Sequence, residues 1–166
     1  MFAMRFPQEE LEGKNLKEMM GMEGRRVRKC YVELAEKYGV GWKGRVYTPG
    51  KFELSNITNK IITAANAALY ALILSVVHAL GFSPHIGFIH SGSPLPFIYD
   101  LADLYKDKLC IDLAFAMTLE AAGEYNRELT ANEFRRRVIE SNLLEKLPED
   151  IFYVIFGIKN GSSNSE

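Results

Sequence analysis

Residues 61–80 carry no formally charged side chain, and this limits the possible folds of the chain more than any other feature. A stretch of this length is just sufficient to span a membrane as a helix. It is interrupted by polar side chains, however: Thr63, Asn66, Ser75 and His78. Asn66 and Tyr70 are four residues apart and share a helix face, and a lipid-exposed face disfavours such polar groups. We therefore expect a central buried helix over about residues 57–80, ended by Gly81, with Asn66 and His78 hydrogen-bonded.

The first half of the chain contains clear signals for the start and end of another helix. Asn15 and Glu18 form a capping-box pattern, and Gly39 is suited to end the helix after Tyr38. Residues 40–55 are rich in glycine and include a proline, which predicts an irregular loop or a short hairpin.

The second half also predicts helices, so we expect an all-α fold, a single helical domain with a central buried helix. One helix is expected over about residues 110–122. The next should begin with a box formed by Thr130 and Glu133 and end before Pro148. The apolar run at residues 151–156 is compatible with either a short helix or a strand.

The composition is typical of a globular protein. The chain has 166 residues, of which 48% are apolar and 25% charged, enough for one domain with a genuine core. We divide it into a linker-like segment over residues 1–14, a helical domain over 15–158 and a flexible polar tail over 159–166. The first eight residues lack the apolar run of a secretory signal. Cys30 and Cys110 lack metal-ligand spacing and are expected to be buried thiols, which favours a cytoplasmic location.

The net charge of −1 does not indicate a nucleic-acid-binding protein, but basic side chains cluster locally. Arg25, Arg28 and Lys29 belong to one such run, and residues 135–137 are three consecutive arginines. The first run could contact DNA phosphates or form a solvated cationic face, and the pattern leaves both interpretations open.

A glycine-flanked loop and the helix expected after it contain the clearest pattern for a functional site. Residues 87–92 are Gly-Phe-Ile-His-Ser-Gly, and residues 99–103 are Tyr-Asp-Leu-Ala-Asp. An imidazole beside converging carboxylates suits magnesium or manganese more than zinc. A loop histidine next to a solvated acidic helix face has the same pattern, and taken alone that ordinary interpretation is favoured.

The helix after this loop has an expected start and an expected polar face. Ser93 suits the N-cap position and Pro94 the first helical position. The apolar residues at helical spacing are Ile98, Leu101 and Tyr105. Such a stripe places three carboxylates on the opposite, polar face of the helix: Asp100, Asp103 and Asp107.

These motifs resemble those of the CRISPR adaptation integrase family, in particular the subtype that accompanies Cascade-type effectors. In that family a Gly-Phe-Ile/Val-His-Ser/Thr-Gly loop precedes a Tyr-Asp-x-x-Asp helix, as in residues 87–103. A further family motif, Gly-x-Glu-Gly-x-x-x-Arg, is matched by residues 21–28. Because three motifs occur in order with matching spacing, the resemblance is specific, and it extends over about residues 1–147.

The resemblance implies a metal-dependent DNA endonuclease and integrase that inserts captured DNA into the CRISPR repeat array by phosphodiester transfer. Glu23, His90 and Asp103 match the family's ligands for Mg²⁺ or Mn²⁺, and Asp100 matches an additional acidic catalytic residue. The residues alone also allow an ordinary surface pair between Glu23 and a basic neighbour. Gly24 is costly inside a helix, and a close backbone approach at a site would explain it.

The resemblance also implies binding to double-stranded and branched DNA. Tyr70 matches a tyrosine near the family's site, and Tyr47 could stack on unpaired bases, as could Trp42. The alternative is that Tyr47 and Trp42 anchor their loop in the core, which we favour for Trp42. Arg25, Arg28 and Lys29 are the expected phosphate contacts.

The resemblance covers the helical part of the family alone. Family members have an N-terminal β-rich domain that drives homodimerisation, and they act with a small ferredoxin-like adaptation protein. The present chain is expected to be the catalytic half without the β-rich domain. A second interpretation is a non-catalytic helical module that binds DNA or a partner protein.

Overall fold

Helices form all the regular structure in the part of the chain that is described. The computed structural model describes residues 1–6, 8–46, 49–50, 52–90, 92–120 and 124–157. The α-helices are α1 (Gln8–Leu11), α2 (Leu16–Tyr38), α3 (Ile57–Ala79), α4 (Pro96–Ala102), α5 (Asp112–Glu120), α6 (Arg127–Glu140) and α7 (Leu143–Phe156). Phe2–Met4 and Phe52–Leu54 are short 3₁₀ helices, and Asp107–Ile111 is a π-helical turn. These ranges contain no strand, so the all-α prediction is confirmed.

The uncharged stretch forms α3, which contacts α4, α5, α6, α7 and the π-helical turn. The side chain of Asn56 caps its first turn by accepting a hydrogen bond from the N–H of Asn59. Its buried apolar residues recur every three or four positions: Ile61, Ile62, Ala65, Leu69, Ile73 and Val77. Each such Ile or Leu contributes roughly 1.5–3 kcal/mol. The central buried helix is therefore confirmed, although length and hydropathy alone would also allow α3 to cross a membrane.

Two details of α3 were predicted wrongly. His78 is exposed, because it lies one position beyond the buried row that ends at Val77. Oδ1 of Asn66 is buried but has no hydrogen-bond partner among the described residues. Asn66 follows Ala65 and points away from the core, towards a cavity described below.

Local sequence signals correctly predict the ends of α2. The side chain of Asn15 accepts from the N–H of Glu18, and the carboxylate of Glu18 accepts from the N–H of Asn15. Gly39 ends the helix in the left-handed region, with φ 62°. Beyond it, the ring of Trp42 stacks on Tyr31 at 4.8 Å between centroids and meets Phe115 edge-on at 5.1 Å. Trp42 therefore anchors its loop in the core.

Several predicted helix starts are displaced. The helix predicted to begin at Pro94 begins at Pro96, which also suits the first helical position, and Leu95 precedes it without a side-chain cap. The helix predicted from residue 110 continues from the π-helical turn as α5. Its predicted end at residues 121–122 lies outside the described residues.

The C-terminal helices also differ from their prediction. α6 begins one turn early because Asn126 caps it, and the Thr130 hydroxyl donates to the carbonyl of Asn126 from inside the helix. α6 ends at Glu140, before Pro148 as predicted, and α7 is a separate helix that includes Pro148 in its interior. Residues 151–156 are helical, which resolves the choice between helix and strand. Residues 158–166, including the predicted tail, lie outside the described residues.

Candidate active site

The loop before α4 folds around a buried carboxylate. The side chain of Asp100 is fully buried, and its oxygens accept hydrogen bonds from the backbone N–H groups of Phe88, Ile89 and His90. Oδ1 also lies 2.7 Å from Nδ1 of His90. A Cβ atom at Gly87 would lie 2.6 Å from Cβ of Pro96, so only glycine fits this close approach. The prediction that Asp100 lies on a polar helix face is wrong, because the loop covers it and supplies its donors.

The contact with Asp100 determines how the His90 ring is used. A carboxylate only accepts hydrogen bonds, so Nδ1 of His90 is assigned as the protonated nitrogen. Nε2 is left with its lone pair and lies 3.8 Å from Oδ2 of Asp103. Pairing of one ring nitrogen with a carboxylate is the usual way in which a metal-binding histidine is oriented. Asp100 thus positions His90 and does not itself line the cavity beside it.

Glu23 on α2 faces the same side of the molecule. Its carboxylate accepts from Nε of Arg26 at 3.0 Å and from Nη2 at 2.8 Å, and it also pairs with Arg5. Arg26 pairs in addition with Asp107. Hydrogen bonds to Glu23 and Asp107 raise the pKa of Arg26, although partial burial opposes them. The ordinary pairing of Glu23 with the basic side chain three residues on is therefore present.

Gly24 does not mark the close backbone approach that we expected. A Cβ atom there would have Nη1 of Arg28 as its nearest neighbour, at 3.6 Å, which is an ordinary van der Waals distance. The cost of this glycine inside α2 has no explanation in the described residues.

Asp103 at the end of α4 is paired with a lysine that sequence reasoning did not identify. Nζ of Lys106 lies 2.7 Å from Oδ1 of Asp103 and 5.0 Å from the ring centroid of Tyr70. Burial alone would lower the pKa of Lys106, but the interactions with Asp103 and Tyr70 outweigh it and raise the pKa. The i, i+3 spacing of Asp103 and Lys106 was the available signal for this pair.

Glu23, His90 and Asp103 line one cavity of about 140 Å³, together with Met1, Phe2, Arg5, Met20 and Ile89. As the side chains lie here, no three acidic, histidine or cysteine residues in the described ranges are close enough together to hold a metal ion, and the convergence of Glu23, His90 and Asp103 to metal-bridging distance stays a prediction. Arginine side chains occupy the carboxylate of Glu23, and Lys106 occupies that of Asp103. The chemistry of the three side chains still suits a hard divalent cation, since two carboxylates and an imidazole face a shared space.

His90 also lines a second cavity, of about 540 Å³. Its lining includes Arg45, Asn66, Tyr70, Ser93, Tyr99 and Lys106. The rings of Tyr70 and Tyr99 meet edge-on at 5.0 Å. Oδ1 of Asn66 and Oγ of Ser93 are buried without a hydrogen-bond partner among the described residues, and both residues line this cavity. A buried polar atom without a partner costs about 1–3 kcal/mol, so a polar ligand here would be stabilised.

The predicted DNA contacts are distributed unevenly. Tyr70 lines the second cavity, and Arg28 lines a third cavity that also includes Glu23 and Asp103. Arg25 and Lys29 are exposed on α2, and Lys29 pairs with a glutamate one turn on. Tyr47 lies outside the described residues.

The second basic run, residues 135–137, is largely neutralised. Arg136 pairs with Glu133 and Glu140, and Arg137 pairs with Glu133 and Asp112. The Arg137–Asp112 pair links α6 to the start of α5, whereas the pairs with Glu133 and Glu140 lie within α6, so the run contributes mainly to structure.

The fold and the site together define a class of protein: an all-helical domain in which a carboxylate-oriented histidine shares an acidic cavity with a glutamate and an aspartate, beside basic and aromatic side chains. The sequence profile of the family described as CRISPR associated protein Cas1 matches residues 4–146. The chain belongs to the Cas1 family of CRISPR-associated proteins.

Similar proteins agree with this assignment. CRISPR-associated endonuclease Cas1 2 of Chlorobaculum tepidum is 64% identical over 163 residues, which are 98% of this chain and 55% of that protein. CRISPR-associated endonuclease Cas1 of Escherichia coli K12 is 39% identical over 129 residues, 78% of this chain and 42% of that protein. A crystal structure of a TtCas1–DNA complex superposes with a TM-score of 0.85 at 36% identity, covering 95% of this chain and 58% of that one. The chain thus spans about half the length of these relatives.

Proposed function

We propose that this chain is the catalytic helical domain of a DNA endonuclease and integrase that acts in CRISPR spacer acquisition. The observation that carries the proposal is the contact between Asp100 and Nδ1 of His90, which turns Nε2 towards the cavity shared with Glu23 and Asp103. Burying a carboxylate for this purpose is costly unless it is fully hydrogen-bonded, and Asp100 is. A buried carboxylate that orients a histidine in this way is typical of a functional site.

Glu23, His90 and Asp103 are the residues that would hold Mg²⁺ or Mn²⁺. When bound, such an ion would polarise a DNA phosphate and stabilise the charge on the attacking and leaving oxygens. Asp100 keeps the His90 ring in one orientation and one tautomer, so Nε2 remains available as a ligand.

The second cavity suits the DNA strand whose phosphate is attacked. Arg45 and Lys106 line it with basic groups, and the rings of Tyr70 and Tyr99 add aromatic surface against which a base could pack. The buried oxygens of Asn66 and Ser93 need hydrogen-bond partners, which a nucleotide's polar groups could supply.

In the proposed reaction, the 3′-hydroxyl of a captured DNA fragment gives up its proton to water, and its oxygen forms a bond to phosphorus at the edge of a repeat. The bond to the leaving 3′ oxygen breaks, and that oxygen takes up a proton. Water in place of the fragment's hydroxyl would give strand cleavage at the same site. The relatives from Chlorobaculum tepidum and Escherichia coli are named endonucleases, and one similar solved structure is a complex with DNA.

Further features of the proposal concern the whole protein of which such a domain is part. Double-stranded and branched DNA are the expected substrates. A homodimer and a small ferredoxin-like adaptation partner are the expected assembly, in the cytoplasm. These features rest on the family resemblance.

Two loop histidines of this chain, His90 and His85, allow a matched test of catalysis. We expect Mn²⁺-dependent cleavage of branched DNA by the 166-residue chain, lost in His90→Ala and retained in His85→Ala. His85 is an exposed loop histidine bonded to the carbonyl of Pro94, five residues from His90. Equal activity of both variants and the unaltered chain would contradict the catalytic proposal.

One observation favours a second function, a helical module that binds DNA or a partner without catalysis. The carboxylates of Glu23 and Asp103 are paired with Arg5, Arg26 and Lys106. DNA binding that persists in the absence of any Mn²⁺-dependent cleavage would support this alternative.

A further inference from the structure

An arginine from the N-terminal segment reaches into the acidic cavity. Arg5 follows the 3₁₀ helix Phe2–Met4, and its side chain is only 10% exposed. Its guanidinium pairs with the carboxylate of Glu23. Phe2 and Met1 line the same cavity.

We infer that Arg5 is a built-in counter-cation for Glu23 that must withdraw before a divalent metal ion can bind, so that residues 1–6 act as a self-inhibitory strap over the site. The inference rests on the proposed function, because it concerns access to the proposed metal site. The Arg5 guanidinium and the metal ion would both require the carboxylate of Glu23. Two positive charges on one carboxylate lie only a few ångströms apart and repel strongly.

The two arginines on Glu23 differ in how firmly they are held. Arg26 lies on the same helix as Glu23 and pairs with Asp107 as well, so both ends of its guanidinium are satisfied. Arg5 pairs with Glu23 alone among the described carboxylates, and its Nη2 is buried without a hydrogen-bond partner there. A buried unpaired donor is costly, so withdrawal of Arg5 recovers hydration at that nitrogen.

Withdrawal of Arg5 also leaves Glu23 with a partner. Nε and Nη2 of Arg26 continue to donate to its carboxylate. The metal-free open form therefore contains no isolated buried charge, and exchange between closed and open forms is physically accessible. Arg5 is accordingly the exchangeable cation and Arg26 the fixed one.

The test measures Mn²⁺ binding to the 166-residue chain by isothermal titration calorimetry. A closed strap reduces the apparent affinity by the fraction of molecules that are open. If one molecule in ten is open, Arg5→Gln tightens binding about tenfold, or about 1.4 kcal/mol. Lys17→Gln removes the same charge at an exposed position of α2 and should leave the affinity unchanged.

A second readout follows the strap directly by hydrogen exchange. Saturating Mn²⁺ should speed amide exchange over residues 2–6 in the unaltered chain, because binding expels Arg5. Equal or weaker Mn²⁺ binding by Arg5→Gln, or unchanged exchange at saturating Mn²⁺, would overturn the strap while leaving the metal site intact. Absence of Mn²⁺ binding in both the unaltered chain and Arg5→Gln would overturn the proposed metal site and the strap together.

Discussion

Replacement of Asp100 by asparagine should strongly destabilise the protein, although the two side chains have nearly the same shape. Oδ2 of Asp100 accepts from the N–H groups of Phe88 and Ile89, and Oδ1 accepts from the N–H of His90 and faces its Nδ1. An amide has one acceptor oxygen, so two donors must face its NH₂ group in either orientation.

The magnitude follows from that count. Each buried donor left without a partner costs about 1–3 kcal/mol, and the partly exposed loop can relax. We therefore expect Asp100→Asn to lose about 2–4 kcal/mol of unfolding free energy, a large part of the roughly 5–15 kcal/mol typical of a domain. Urea unfolding followed by circular dichroism measures this loss as a shift in midpoint at constant slope.

Asp103→Asn is the matched control. Asp103 lies on the same helix, is 26% exposed and pairs with a single lysine. The asparagine oxygen can still accept a hydrogen bond from Lys106 in this partly exposed pair, so the control should lose less than Asp100→Asn, about 1 kcal/mol. An Asp100→Asn protein within about 0.5 kcal/mol of the unaltered chain would refute the argument that this carboxylate organises the loop.

Two further predictions concern other parts of the structure. Gly87→Ala should lose about 1–3 kcal/mol of unfolding free energy in the same assay, because its Cβ would overlap Pro96. The control Gly41→Ala, whose Cβ would have nothing within 4 Å, should lose far less. Equal losses in the two variants would contradict the packing argument. For Asp112, burial would raise the pKa, but hydrogen bonds, first that from Arg137, outweigh it and lower the pKa. A lowered folded-state pKa stabilises the protein at pH values above the unfolded-state pKa near 4, and this stabilisation is lost as the pH falls through the folded-state pKa. Asp112→Asn should therefore be less stable than the unaltered chain at pH 7, and the difference in unfolding free energy should close below about pH 4. A difference in unfolding free energy that stays constant from pH 7 to pH 2 would contradict the lowered pKa of Asp112.

The elements that sequence alone predicts are those set by local patterns. The boundaries of α2 follow from Asn15, Glu18 and Gly39, which lie within or next to the helix that they cap. The burial of α3 follows from its lack of charge and its apolar spacing. Such signals require no knowledge of distant residues.

Asp100 shows why the site geometry was less predictable. Helical periodicity assigns a carboxylate to the polar face, and nothing within α4 indicates otherwise. Its burial depends on three N–H groups supplied by a loop ten to twelve residues earlier. Likewise, Pro94 and Pro96 both suit a first helical position, and the structure uses the second.

The contacts of Glu23 illustrate a different limit. The resemblance to a family selects Glu23, His90 and Asp103 as one site, and the structure places all three on one cavity. The pairing of Arg5 with Glu23 joins residues eighteen positions apart on separate elements, and no motif encodes it. Charge pairs of this type become visible only in three dimensions.

We propose that Glu23, His90 and Asp103 together hold a divalent metal ion. This proposal is tested most directly by crystals of the chain grown with Mn²⁺ and examined by anomalous diffraction. We expect a manganese peak at roughly 2.0–2.3 Å from Nε2 of His90 and from an oxygen of each carboxylate, with Arg5 withdrawn from Glu23. Saturating Mn²⁺ with no peak among these three side chains would contradict it.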